Sequence, residues 1–172
     1  MRRLAQEIGI QAPSLYKHFA DKSEITTAVH IDYLIDHRDA LQAALDRHPS
    51  PDHAIVRMAY AFREFAGQNR SLHLFSTTMP YPRDQVPELL RSIRLLWLKA
   101  AGDENLATAI WSFTSGMVSM DFSDRFPPGT DTDGAFAAGL DAFVDHADGR
   151  EAQGAARTGG RGFRASIGKV SQ

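Results

Sequence analysis

The chain of 172 residues contains no cysteine, which excludes disulfide bonds and thiol catalysis and suits a reducing compartment. It also lacks any run of eighteen apolar residues, and it has no signal-peptide pattern. The net charge is only −2, so contact with nucleic acid requires a local basic patch rather than a basic protein. These absences favour a cytoplasmic protein that makes no contact with a membrane.

The residue sets that catalysis requires are also missing. No glycine-rich phosphate loop follows a strand, and Ser115 lacks the flanking glycines of a hydrolase nucleophile elbow. His30 and His37 are seven residues apart with two aspartates between them, but further metal ligands are absent. We expect both histidines on the solvated face of a helix. The sequence therefore predicts neither an enzyme nor a metal or cofactor site.

Apolar residues recur at spacings of three and four along most of the chain, which predicts an all-α fold. Turn-forming residues separate the helices after the first two dozen residues. The predicted helices span 23–48, 52–69, 71–78, 86–100, 103–120 and 131–147. Beyond Ala147 the chain is rich in Gly, Ala, Arg and Ser, and this composition predicts a disordered tail over 148–172.

The first two dozen residues predict two short helices joined by a tight turn. Residues 2–8 form one apolar face, Gly9 ends the helix, and a second helix over 11–19 tolerates Pro13 in its first turn. Asp21 and Glu24 form a capping-box pattern that starts a third helix. This layout is that of a helix-turn-helix, whose second helix can lie in the major groove of DNA. Its outer face carries small, aromatic and cationic side chains suited to bases and phosphates, namely Ala12, Pro13, Ser14, Tyr16, Lys17 and His18.

Residues 4–25 resemble the DNA-binding half of the TetR family of bacterial one-component regulators. The resemblance rests on the spacing Gly, five residues, Leu-Tyr, two residues, Phe, two residues, Lys, which begins at Gly9 and ends at Lys22. It implies a regulator, most often a repressor, that a small and mainly apolar effector releases from DNA. It also implies that Ala12, Pro13, Ser14 and Lys17 approach bases, whereas Tyr16, His18 and Lys22 hold phosphates.

One departure from the family concerns the start of the chain. Family members usually carry a further helix that packs across the motif, and here Met1 falls inside the second family helix. We expect Leu4, Ile8 and Leu15 to lose part of their apolar cover. The sequence leaves open whether the start is placed late, the chain is shortened, or this form has lost strong DNA binding.

The last two helices are the predicted dimer surface. Residues 111–127 resemble the C-terminal domain of a TetR subgroup marked by Trp, three residues and His-Gly, with Ser115 in place of the His. The final helix has a side of small residues that lets helix backbones approach closely: Ala135, Ala138, Gly139 and Ala142. We therefore predict a homodimer built on a four-helix bundle. Its two recognition helices would meet a palindromic DNA operator about one turn apart, roughly 34 Å.

Aromatic and Met side chains of the body are candidates to line a cavity for the small-molecule effector, although such residues at helical spacing are also typical of a plain core. The candidates are Phe62, Phe65, Phe75, Met79, Tyr81, Trp97, Trp111 and Met117, with Arg63, Asn69, His73 and Ser115 as polar groups.

The sequence thus predicts three parts: a partial helix-turn-helix domain with its linking helix over 1–47, a ligand-binding and dimerisation domain over 48–147, and a tail over 148–172. The leading hypothesis is a ligand-responsive DNA-binding regulator in which the helix 23–48 carries the displacement. The alternative is a helical dimer that senses a ligand or binds a protein partner without strong DNA binding.

Overall fold

The computed structural model describes residues 1–9, 11–47, 54–80 and 82–162, without the side chains of Arg2 and of residues 151–162. Within these ranges the chain forms eight helices and no strand, which confirms the all-α prediction. The helices are α1 (Arg2–Glu7), α2 (Ala12–His18), α3 (Lys22–Asp46), α4 (Ala54–Gln68), α5 (Arg70–Thr78), α6 (Pro87–Ala101), α7 (Glu104–Phe122) and α8 (Thr132–Gly162).

The helix ends follow local chemistry that the sequence displays. Gly9 and Gly102 adopt positive φ angles of 72° and 68° where α1 and α6 end. Asp21 caps α3, because its Oδ1 accepts a hydrogen bond from the backbone N–H of Glu24 at 2.9 Å. Glu24 Oε2 in turn accepts from the backbone N–H of Ala20 at 2.6 Å, one residue earlier than a standard capping box requires.

α8 is longer than the sequence analysis predicts. The helix continues past Ala147 to Gly162, so residues 148–162 are helical where disorder is expected. This segment contains no proline, so its Ala, Arg, Glu and Gln residues can continue the helix once α8 has started, although five of its fifteen residues are glycine. Residues 163–172, the rest of the predicted tail, lie outside the described part of the chain.

α3 and α4 form the centre of the helical body. α3 packs against α4, α5 and α6, whereas α4 also packs against α6, α7 and α8. Leu41, Met58 and Ile110 are fully buried where these helices meet. α1 and α2 pack on each other, with Ala5 and Leu15 as their buried residues. None of the described helices is long and apolar enough to cross a membrane.

The expectation that His30 and His37 lie on a solvated face is wrong. Their side chains are 2% and 5% exposed. Three neighbouring helices, α4, α5 and α6, cover α3. The buried face of α3 is therefore wider than its stripe of apolar residues, and it includes polar side chains that lie between them. This burial brings both histidines into the body of the protein.

Candidate functional site

Two adjoining chambers lie between α3, α5, α6 and α7. The larger has a volume of about 570 Å³ and the smaller about 300 Å³, and both are lined by His37, Arg83 and Trp111. We therefore call this shared region the junction. The larger chamber is otherwise lined by Tyr33, Phe62, His73, Ser76, Thr77, Met79, Pro80 and Ser115. The smaller is otherwise lined by Leu34, Leu90, Ile93, Arg94, Trp97, Leu98, Glu104, Ala107 and Thr108.

The two chambers differ in chemistry. The smaller is bounded mainly by aliphatic side chains and by the indole ring of Trp97. Apart from Arg83 at the junction, its charged groups are Arg94 and Glu104, which form an ion pair with each other and are more than half exposed. The smaller chamber therefore suits an apolar group.

A buried hydrogen-bond network forms part of the wall of the larger chamber. The hydroxyl of Tyr33 lies 2.8 Å from Nδ1 of His73, and the other ring nitrogen of His73 lies 3.2 Å from Oγ of Ser119. A second pair, Ser76 Oγ and His30 Nε2, are 2.9 Å apart. These contacts tie α3 to α5 and α5 to α7. Burial lowers the pKa of His30 and of His73, which disfavours the charged form of both rings.

His37 occupies the junction and is packed among aromatic rings. Its ring meets Phe62 edge-on at 4.9 Å and stacks on Phe65 at 5.8 Å. Burial, and secondarily repulsion from His73, lowers the pKa of His37 to about 3. The imidazole is therefore neutral near pH 7, and its buried Nε2 has no hydrogen-bond partner among the described residues.

Two further polar groups of the lining lack partners. The buried indole Nε1 of Trp97 has no hydrogen-bond acceptor within the described ranges. Arg83 is exposed at the junction, and no ion pair in the described part of the chain engages it. Within the described part of the chain, the indole N–H of Trp97 therefore has no acceptor and the guanidinium of Arg83 has no ion-pair partner.

The structure brings together half of the twelve residues proposed from the sequence for a cavity. Phe62, Met79, His73 and Ser115 line the larger chamber, Trp97 lines the smaller, and Trp111 lines both.

The other proposed cavity residues lie elsewhere. Phe65 sits behind His37, and Phe75 packs against the ring of His30, so neither lines a chamber. Arg63 pairs with Asp133 at 2.6 Å. The side chain of Asn69, between α4 and α5, donates to the backbone carbonyl of Phe65 in α4, and Tyr81 lies outside the described residues. Met117 packs against the core and lines neither chamber.

Sequence reasoning missed Tyr33, His37 and Arg83 as lining residues. Tyr33 and His37 are four apart on α3, a spacing that places them on one helix face, and this was the available signal. Arg83 lies between α5 and α6, where no periodic pattern marks its direction.

A polar surface lies at the other end of α3. Pro13, Tyr16, Lys17, His18 and Lys22 are exposed, whereas Ala12 and Ser14 are half-buried. Leu15 faces inward, as its spacing predicts. This surface combines two lysines with an aromatic hydroxyl.

Of the three apolar residues expected to lose cover, two are exposed and one is buried. Leu4 is 38% exposed and Ile8 is 55% exposed. Leu15 is buried, since α1 packs over it.

α7 and α8 present an exposed face of mostly small residues. Exposed positions are Ala109, Ser112, Gly116 and Met120 on α7 and Ala135, Ala138 and Ala142 on α8. Gly139 was predicted to lie on this face, but it does not. It lies directly under the ring of Phe113 in the same chain.

No family model matches the chain, and no curated protein matches it. Two solved structures share its fold. One is the crystal structure of the protein SCO4313, which is named as a regulatory protein although that role is not established. It is 20% identical with a TM-score of 0.72, and the match covers 84% of each chain. The other is a protein of unknown function from Rhodococcus sp. RHA1, which is 22% identical with a TM-score of 0.68, over 84% of this chain and 82% of that one.

Proposed function

We propose that the protein is a ligand-responsive DNA-binding transcriptional regulator of the TetR type, acting as a repressor that a small effector releases from DNA. The exposed face of α2 is the DNA-contacting surface, and the two chambers are the effector site. The regulatory role in the name of one structural neighbour supports this proposal, as do the sequence resemblance and the shared fold. The role requires no catalytic step, so we propose that the protein is not an enzyme.

The observation that carries the proposal is the continuity of α3. This single helix begins at Lys22, beside the polar surface, and four turns later contributes His37 to both chambers. The two positions are 15 residues apart on one rigid element, or about 22 Å. We call α1 and α2, which precede α3 in the chain, the head. A ligand that shifts this part of α3 also shifts the head. It changes DNA affinity if it binds the DNA-bound and the released conformation unequally.

A repressor of this type acts as a homodimer on a palindromic operator. The exposed small residues of α7 and α8 favour close packing of two copies, because small side chains let helix backbones approach. Sedimentation equilibrium of the protein is expected to give twice the monomer mass of 19.0 kDa. Ala138→Arg on that face should return it to the monomer, whereas Glu64→Arg, an exposed position on α4, should not.

The direct test of function is selection of bound sequences from a random DNA library, followed by anisotropy titration at two salt concentrations. The expected result is an enriched palindrome bound at least 100-fold more tightly than random DNA. An affinity that falls with salt equally for every sequence would contradict a sequence-specific regulator.

A second candidate function follows from the exposure of Leu4 and Ile8. An apolar patch on a two-helix head suits a protein partner, so the chain would then be a helical sensor that does not bind DNA strongly. Leu4→Ser with Ile8→Ser should leave operator binding intact under the first proposal. Under the second, no operator is enriched from the library.

A further inference from the structure

We propose that the two chambers bind an amphipathic carboxylate, with its apolar tail in the smaller chamber and its carboxylate at the junction. The inference rests on the proposed function in that it names the chemical class of the effector. It is carried by the charges, the unpaired polar atoms and the apolar lining of the same site.

The charge of the lining favours a monoanion. The charged side chains that line the chambers are Arg83, Arg94 and Glu104. Arg94 and Glu104 neutralise each other as an ion pair, which leaves the guanidinium of Arg83 as a net charge of +1. His37 contributes no charge near neutral pH, because its pKa is about 3. One carboxylate balances one guanidinium and matches its planar donor geometry, whereas a phosphate dianion would leave negative charge uncompensated.

The hydrogen-bonding groups at the junction favour a ligand that accepts hydrogen bonds. His37 lines both chambers, and its Nε2 has no hydrogen-bond partner among the described residues. A neutral imidazole donates from this atom in one of its tautomers. A carboxylate at the junction offers acceptors to His37 and to Arg83. An ammonium offers none.

The tail is specified by the smaller chamber. Leu90, Ile93 and Leu98 from α6 and Ala107 from α7 are purely aliphatic, and these side chains offer an alkyl chain contact without a competing polar group. The larger chamber, with its hydroxyl and imidazole groups, is the wetter side of the site. Burial of an alkyl chain is therefore more favourable in free energy in the smaller chamber than in the larger one.

The test uses intrinsic fluorescence, because the chain has two tryptophans and both line the smaller chamber. The full chain is titrated, without DNA, with decanoate, decanol and decylamine below their aggregation concentrations at pH 7.5. These probes share one tail and differ in the head group. Decanoate is expected to bind at least tenfold more tightly than decanol, and decylamine more weakly than either. Equal affinity for decanoate and decanol, or no fluorescence change with decanoate, overturns the proposal.

A variant separates the charge from the apolar lining. Arg83→Gln should lower decanoate affinity about tenfold, to the level of decanol, and leave decanol binding unchanged. Arg83 is exposed, so its loss spares the core. Arg125→Gln, an exposed arginine outside the lining, is the matched control and should bind all three probes as the parent does. If Arg83→Gln binds decanoate as tightly as the control, the carboxylate does not lie at the junction.

Because DNA is absent from these titrations, the two proposals fail separately. Tight decanoate binding by a protein that enriches no operator would refute the regulator and leave the ligand class standing. A protein that enriches an operator but binds decanoate and decanol equally would refute the ligand class and leave the regulator standing.

Discussion

The hydroxyl oxygen of Tyr33 lies 2.8 Å from Nδ1 of His73, and this contact joins α3 to α5 in the wall of the larger chamber. The two rings belong to a cluster in which Tyr33 also packs beside His37 at 6.3 Å between centroids. Burial lowers the pKa of both His37 and His73, which makes the stability of the protein depend on pH.

Acidification should destabilise the fold. The pKa of His37 is about 3 in the folded protein and about 6.5 when unfolded, so below pH 6.5 the unfolded chain binds the additional proton. The free energy of unfolding is therefore unaffected by His37 well above pH 6.5, and it falls progressively as the pH drops toward 3. From pH 6.5 to 5 the loss from His37 alone is about 2 kcal/mol.

Urea denaturation at several pH values measures this effect. His37→Phe keeps an aromatic ring and should flatten the dependence between pH 6.5 and 5, whereas His146→Gln, at an exposed position, should not. An unchanged slope in His37→Phe would mean that this imidazole does not titrate with unfolding.

Thr114→Val should stabilise the protein by about 1 kcal/mol. The Thr114 hydroxyl is fully buried on α7 and has no hydrogen-bond partner in the described ranges, so an isosteric methyl removes a desolvation cost. Thr108→Val is the control on the same helix, because the exposed Thr108 hydroxyl donates to the carbonyl of Glu104 at 2.8 Å. Thermal unfolding should rank Thr114→Val above the parent and Thr108→Val at or below it. The opposite order would reveal a partner for Thr114.

Gly139→Ala should destabilise the protein by about 1–3 kcal/mol. A Cβ at Gly139 would overlap the ring of Phe113, which is itself held against Phe136 and Phe143 at 5.8 Å and 5.6 Å between centroids. Gly67→Ala, on α4, meets nothing within 4 Å and should be neutral or mildly stabilising. Equal unfolding midpoints for both variants would show that the Phe113 ring moves aside without cost.

DNA affinity should respond differently to the two lysines of the head. Lys22→Ala should weaken binding to all sequences and reduce the salt slope by about one, as expected for a phosphate contact. Lys17→Ala should change which sequences are preferred. Lys99→Ala, an exposed lysine on α6 in the body, is the control. Equal losses on operator and random DNA for both head variants would remove Lys17 from the base-reading role.

The sequence predicted every described helix from its apolar spacing, and several of these helices begin or end with short-range chemistry. Gly9, Gly102, Asp21 and Asp103 act on backbone groups within three or four residues, so their effects can be worked out without knowing the tertiary structure. The end of α8 was the exception, since nothing after Ala147 stops a helix sharply and composition alone suggested disorder.

The chambers were less predictable because they depend on three-dimensional packing. Trp97 and Trp111 were found from their size and helical spacing, but the same features placed Phe65 and Phe75 in the list although they pack behind the lining. The burial of His37 comes from helices that arrive from elsewhere in the chain, and no local pattern encodes it.

α3 contains neither proline nor glycine between Lys22 and Asp46, so it has no built-in point at which to bend. A straight helix that pivots near His37 acts as a lever about 22 Å long toward Lys22. A tilt of about 5° at the pivot then displaces the far end by about 2 Å, by the geometry of a rise of 1.5 Å per residue. In the proposed regulator, small adjustments of side chains around the junction would become a movement of atomic size at α1 and α2.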